Sequence, residues 1–310
     1  MSEMTFAYNT SIARSGFLKS PEPAVNKASK ACIAGIAWDG STTHRPGARF
    51  GPGAIRKASH MLCDGIHPHF ECSPLEVIAD VGDLVLPNTS LEGMRAALMP
   101  KASELIQNHH MVWLGGDHSI TLPLLRAYRQ QLKEPLALVH FDAHCDTWSS
   151  HFDEPSGHGT WVYEAVNEGL VLAPCTAQIG IRSAAEVATT RFIEDRGGLM
   201  YSARSLRGLD KQSDWANIAA EIKARVGTRP VYLTVDIDCL DPAFAPGTGT
   251  PEPGGLTSAQ LLGLLEELSA LQFVGMDLTE VAPAYDWAEL TSNVAAHAVW
   301  TYLCGQMKYW

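Results

Sequence analysis

Short apolar runs recur along the chain, most of them ending in a turn rich in Gly, Asp or Pro and followed by a stretch with helical spacing. The runs fall at 32–37, 76–81, 112–114, 135–139, 178–182, 199–201, 231–235 and 273–278. They are short and β-branched or aliphatic throughout, with little polar alternation, as strands buried on both faces are. Helical spacing is found at 54–62, 91–106, from Leu122, near Trp161, and at 215–225, 256–268 and 290–304. Strand and helix alternate, which predicts an α/β fold with three layers, α/β/α, around a central, mainly parallel sheet of about eight strands. No repeat or linker divides the chain, so 31–310 reads as a single domain behind an irregular N-terminal arm, 1–30.

In open parallel sheets, sites form beyond the carboxyl ends of the strands, and here those ends are polar in an unusual way. The run at 135–139 continues as His140-Phe141-Asp142-Ala143-His144-Cys145-Asp146-Thr147. Asp142, His144 and Asp146 alternate, so in an extended chain they share a face. Fully extended, Asp142 and Asp146 would be about 13 Å apart, so the chain must curl after His144 to bring them together. Cys145 is out of phase and reads as a packed thiol; His140 is in phase and reads as a supporting or simply buried residue. The run at 231–235 ends likewise in Asp236-Ile237-Asp238, with Cα atoms roughly 6.6 Å apart. Cys239 is again out of phase. His118 follows Gly115-Gly116-Asp117 at the end of a third run, and Glu280 lies just past the last. Buried carboxylates and imidazoles cost much desolvation energy unless their charge is cancelled.

Composition narrows the setting. The 310 residues are 46% hydrophobic, enough for a sizeable core. A net charge of −11 disfavours a nucleic-acid partner and suits small cationic ligands or a solvated acidic surface. Seven cysteines with no C-x-x-C pair suggest a reduced, cytoplasmic protein. The first thirty residues carry no apolar core of a leader, and no run reaches the ~20 residues of a membrane helix. The Gly- and Pro-rich loop 41–52 either reaches the site or makes a contact between domains or subunits, the use expected for Arg45 and Arg49. The segment 245–255 is Gly-rich but lacks the Lys of a phosphate loop, which excludes nucleotide binding of that kind.

Four Asp (Asp142, Asp146, Asp236, Asp238) and two His (His118, His144) make an oxygen-rich donor set without thiolate, which fits two divalent ions and points to Mn²⁺, with other borderline metals acceptable. Four carboxylates balance two such ions. Paired ions generate hydroxide from water and stabilise an oxyanion, so the reaction class is hydrolysis. Chemistry also requires a proton donor, because a departing amine must leave neutral. No G-x-S-x-G elbow supports a serine nucleophile.

Taken in order, Gly115–Ser119, Asp142–Thr147 and Asp236–Pro242 resemble the three signatures of the ureohydrolases, the family of arginases, agmatinases and relatives. Ser156–Thr160 and Glu280–Pro283 resemble two further family segments, and the likeness runs from Cys32 onward. It implies an arginase-like fold, a binuclear manganese centre, a small guanidino substrate and a homo-oligomer, trimer or hexamer. It also implies that His118, Asp142, Asp146 and Asp238 hold one ion or both, with His144 and Asp236 completing the set. Asp146 is then catalytic as well as a ligand, together with Glu280, which binds the guanidinium, and His158, which passes a proton to the leaving amine. A helix-capping His158 is the plainer reading.

The substrate is read from one loop. Arginases carry an Asn two residues after the third acidic ligand; here Trp148 stands there. From Trp148 to Gly157 the only charges are Asp153 and Glu154. Trp148, Asp153 and Glu154 are therefore expected to line the substrate's far end, where an acidic loop favours an amine over a carboxylate. The 231–255 and 281–286 segments also look most like agmatinases. A guanidino-acid hydrolase of guanidinobutyrase type, an arginase or formiminoglutamase on the same site, and an inactive regulatory paralogue are the alternatives.

Overall fold

In a computed structural model, residues 16–23, 26 and 28–310 are described. Among them eight strands form one sheet: β1 (Ala31–Gly35), β2 (Ile78–Asp83), β3 (His110–Leu114), β4 (Leu136–Phe141), β5 (Val171–Ile181), β6 (Leu199–Ser202), β7 (Val231–Asp236) and β8 (Phe273–Thr279). The spatial order is β2-β1-β3-β8-β7-β4-β5-β6, and every pairing is parallel. The helices are α1 (Gly51–Ser59), α2 (Leu91–Asn108), α3 (Thr121–Leu132), α4 (Trp161–Asn167), the short α5 (Val187–Thr190), α6 (Gln212–Val226), α7 (Ser258–Leu268) and α8 (Leu290–Gln306).

The two-residue period of a strand sorts each run into two cores. Val112 and Leu114 of β3, with Ala137, Val139 and Phe141 of β4, pack against apolar residues of α1, α6, α7 and α8. Met111 and Trp113, with Leu136 and Leu138, pack against α2, α3 and α4 on the opposite face. This is the three-layer arrangement expected, with a sheet that is wholly rather than mainly parallel.

Several boundaries move for local reasons. Helix α1 starts at Gly51 rather than near Ala54, because Pro52 sits in the first turn, where its missing N–H is no loss. Helix α7 starts after Thr257, whose side chain and that of Gln260 form a capping box. Strand β5 begins seven residues before the apolar run at 178; between the Leu136–Val171 and Leu138–Thr176 pairs the register shifts, so its first half is bulged around Pro174. Strand β2 begins at Ile78, after a turn in which Val77 N–H donates to the Pro74 carbonyl. The arm expected at 1–30 lies largely outside the described residues. Of its described part, Phe17 and Leu18 are buried, and their amides donate to Asp80 and Ser59.

Candidate metal centre

The four adjacent strands β3, β8, β7 and β4 deliver the site. Asp142 directly follows β4, and Asp236 ends β7. Single 3-10 turns carry His118 after β3 and Asp238 after β7. Glu280 follows β8. The curl demanded by the Asp142–Asp146 spacing is present. The amides of Arg182 and Ser183 hold the Ala143 carbonyl, and Asp146 itself takes a left-handed φ of 52°. A non-glycine residue pays for that conformation, so its retention points to a constraint on the side chain.

Two groups of donor atoms result. His118 Nδ1 lies 3.1 Å from Asp142 Oδ2, 3.3 Å from Asp146 Oδ2 and 3.2 Å from Asp236 Oδ2. His144 Nδ1 lies 3.3 Å from Asp142 Oδ1 and 3.0 Å from Asp238 Oδ2. Asp142 belongs to both groups, one oxygen to each. The sequence leaves the division between the two groups open, and here Asp236 joins His118 while Asp238 joins His144. The reason lies in the turn that follows Asp236, where Asp236 Oδ1 accepts from the Asp238 amide while Asp238 Oδ1 is held by the Ala143 amide, beside His144.

The surrounding bonds fix the facing atoms in place. His118 Nε2 is 2.7 Å from Thr234 Oγ1, whose hydroxyl donates to Asp277, so the proton sits on Nε2 and Nδ1 keeps its lone pair. That Nδ1 is buried and has no hydrogen-bond donor. Trp161 Nε1 donates to Asp146 at 2.6 Å, and Thr250 donates to Asp238 at 3.2 Å. His140 Nε2 is 2.8 Å from Asp142 Oδ2, with Gln178 on its other nitrogen, so His140 supports Asp142. Cys145 and Cys239 are buried outside the cluster, and burial raises both thiols.

Electrostatics ask for cations here. Burial, then the charge of Asp142, raises Asp146 well above the carboxylate range; burial, then Asp238 and Asp142, does the same to Asp236. Burial opposes charge on His118 and His144 as well, yet the carboxylates facing them hold both far above the ordinary imidazole value. A cluster that would otherwise fill with protons is one that divalent ions fit, and its carboxylate oxygens and Nδ1 atoms converge as such ions require.

Beside the cluster stand Glu280 and His158. Glu280 also has a left-handed φ, 63°, with its amide on the Gly116 carbonyl. Its Oε1 accepts from the His118 amide and from His158 Nδ1, each at 3.0 Å. Its Oε2 is buried without a partner. His158 Nε2 meets Thr43 Oγ1 at 2.9 Å and Thr43 N–H at 3.2 Å. Burial works against the imidazolium, but the Glu280 hydrogen bond and charge, with Asp117 and Asp146, raise it to about 9.

The substrate loop departs from expectation. Trp148 is half-buried, its ring 4.9 Å from His151. Asp153 and Glu154 are exposed at the tip, outside the hydrogen-bonded cluster. His151 and Glu154 exchange backbone hydrogen bonds around Phe152 and Asp153, whose φ values of 50° and 65° make a primed two-residue turn. Carboxylates on such a tip point where the turn points. The cations of loop 41–52 engage their own chain: Arg49 Nε is 2.5 Å from Asp39, and Arg45 lies over the Tyr285 ring.

Further residues support the site. Thr234 and Asp277 had a legible signal, being polar positions inside apolar strands and, for Thr234, in phase with Asp236. Arg182 donates to the carbonyls of Gly180, Asp238, Cys239, Leu240 and Glu252, tying the end of β5 to both site loops. Glu252 accepts from Ser183 Oγ at 3.0 Å and stands 3.9 Å from His144 Nε2. Neither has a signal in local spacing.

A parallel α/β/α fold with a His/Asp cluster positioned for two metal ions, at the carboxyl ends of its central strands, defines a metal-dependent hydrolase. The arginase family model matches residues 29–305, and the chain belongs to that family. It is 42% identical to the agmatinase of Cronobacter sakazakii, an alignment spanning 96% of this chain and 95% of that protein. Among solved structures, a hypothetical agmatinase from Burkholderia thailandensis superposes with a TM-score of 0.86 at 37% identity, over 95% of this chain and 91% of the other. The proclavaminate amidino hydrolase of Streptomyces clavuligerus gives 0.86 at 34%, over 94% and 96%.

Proposed function

We propose that the protein hydrolyses agmatine to putrescine and urea on two Mn²⁺ ions, as a cytoplasmic homo-oligomer whose product serves polyamine biosynthesis. The observation that carries the reading is Glu280 Oε2, a buried carboxylate oxygen without a partner beside the metal cluster. A guanidinium supplies the charge and the N–H donors that such an oxygen lacks. His118, Asp142, Asp146 and Asp236 would hold one ion, and Asp142, His144 and Asp238 the other. When bound, the ions supply a nucleophile from water at neutral pH and the charge that stabilises the transition state.

The chain's own groups do the rest. Glu280 binds and orients the guanidinium. Asp146 is fixed by Trp161, which donates to Oδ2, the oxygen that faces the cluster. His158 gives a proton to the departing amine, and Thr43 suits it to that task, because its hydroxyl accepts from the charged ring and its N–H donates to the neutral one. Agmatine is favoured over guanidino acids by the 42% identity to an agmatinase and by the lack of Lys or Arg in 148–157. Arg182, the cation at the end of β5, is spent on backbone carbonyls. Seven free cysteines agree with a reducing compartment. Among the described residues no helix is long and apolar enough to cross a membrane.

The test is urea release by Mn²⁺-loaded protein from agmatine, arginine and 4-guanidinobutyrate under one set of conditions. Agmatine is expected to have the highest kcat/KM, and chelation to abolish activity until Mn²⁺ is restored. A carboxylate-bearing substrate that matches agmatine overturns the substrate assignment, and full activity in verified metal-free protein overturns the mechanism.

A further inference from the structure

We propose that Glu252 is the specificity-determining residue that receives the distal ammonium of the substrate. The inference rests on the agmatine reading above and replaces Asp153 and Glu154 as the source of preference for a cationic tail. His144 is a spacer with two working edges. Its Nδ1 faces the ion cluster at Asp142 and Asp238, and its Nε2 stands 3.9 Å from Glu252 Oε1. An imidazole is about 2.2 Å from nitrogen to nitrogen, so the ring and this gap together span roughly 6 Å. The four methylenes of agmatine, staggered, hold its ammonium roughly 6 Å from its guanidinium. A substrate whose guanidinium lies beside the ion cluster therefore carries a tail comparable in length to the span from the cluster edge of His144 to Glu252.

The carboxylate is suited to that use in three respects. Its side chain is 35% exposed, and that of His144 is 17% exposed, so both sit at the open side of an otherwise buried cluster. Its hydrogen-bond donor is the neutral Ser183 hydroxyl, and no Lys or Arg among the described residues forms an ion pair with it. Its backbone is immobile, because Arg182 grips the Glu252 carbonyl through two nitrogens, at 3.1 Å and 2.6 Å. A held carboxylate with uncompensated charge at the edge of a site binds an alkylammonium through a charge-assisted hydrogen bond and repels a carboxylate. Asp153 and Glu154 lie on an exposed loop tip, where ion pairing is worth little.

The experiment compares agmatine with butylguanidine, the same chain without the ammonium, in wild-type protein and in Glu252→Gln, which preserves shape. The ratio of kcat/KM for agmatine to that for butylguanidine is expected to fall about tenfold or more in the variant. Putrescine, titrated calorimetrically into each full-length protein, is expected to bind more weakly by a similar factor. Glu252→Lys should move preference toward 4-guanidinobutyrate. Equal losses on both substrates, the mark of a residue acting only through His144, overturn the inference, and so does an unmoved ratio with unmoved putrescine affinity. Wild-type protein that releases no urea from agmatine overturns the underlying reading instead. A wild type that cleaves agmatine alongside an indifferent variant overturns this inference alone.

Discussion

At the scale of single residues, the site holds three things in conformations that cost energy: Asp146 and Glu280 in left-handed backbone, and the Glu280 Oε2 oxygen buried without a donor. Each defect faces the same small volume, which is where a doubly charged centre and a guanidinium would repay it. His158 is tied to this volume through Glu280 rather than through the ligands. His158→Ala should therefore lower kcat by about 10²–10⁴-fold, the usual worth of a general acid–base group. Metal content, measured by elemental analysis, should stay at the wild-type value. Metal lost along with rate would make His158 a ligand, and an unchanged rate would reduce it to a loop support. Thr43→Ala and Thr43→Val should have smaller effects on rate, since the Thr43 N–H remains.

At the scale of elements, what was legible followed from period. Strands buried on both faces reveal themselves as apolar runs, and ligands in phase at their ends reveal the face they share, so Asp142, His144, Asp236 and Asp238 could be read together. Which carboxylate joins which imidazole could not, because it depends on two amide-to-carboxylate bonds, one inside the Asp236–Asp238 turn and one from Ala143 to Asp238 between loops far apart in sequence. Bulged β5 was half-hidden, since Pro174 interrupts its run without ending the strand. Glu252 was invisible, for its position is set by Arg182, seventy residues away, and long-range clamps leave no spacing to read. The acidic loop misled for a related reason: composition shows charge but not direction, and the primed turn at Phe152–Asp153 sends that charge to solvent. Asp153→Gly tests this, because glycine accepts the φ of 65° without strain. It should stabilise the fold by about 0.5 kcal/mol, read as a higher denaturation midpoint. The kcat/KM for agmatine should change less than threefold; a tenfold loss would return Asp153 to the substrate's path.

At the scale of the whole molecule, two histidines packed among aromatic rings outside the site set how the fold responds to acid. His67 is buried against Phe70 and Trp300, with its Nε2 on Thr301. His110, at the start of β3, stacks on Tyr302, packs tilted against Trp310 and meets the Tyr302 hydroxyl at 2.8 Å. Burial lowers each to about 4; for His67 the charges of His69 and His297 add to it. An unfolded histidine titrates near 6.5. Above that value both states are neutral and neither residue makes stability depend on pH. As pH falls through 6.5 the unfolded chain takes up protons that the folded chain refuses until about 4, so stability is lost across that window and the loss is complete below it. Each residue accounts for about 3 kcal/mol at most. Urea unfolding in the presence of a chelator, from pH 7 to 4.5, should show a falling midpoint. His110→Phe keeps the ring on Tyr302 and Trp310 but cannot be protonated, so its midpoint should fall less steeply over the same range, even where it is less stable at pH 7. Parallel curves for variant and wild type would mean that folding leaves His110 titrating near 6.5, as in the unfolded chain, and that the acid response arises elsewhere.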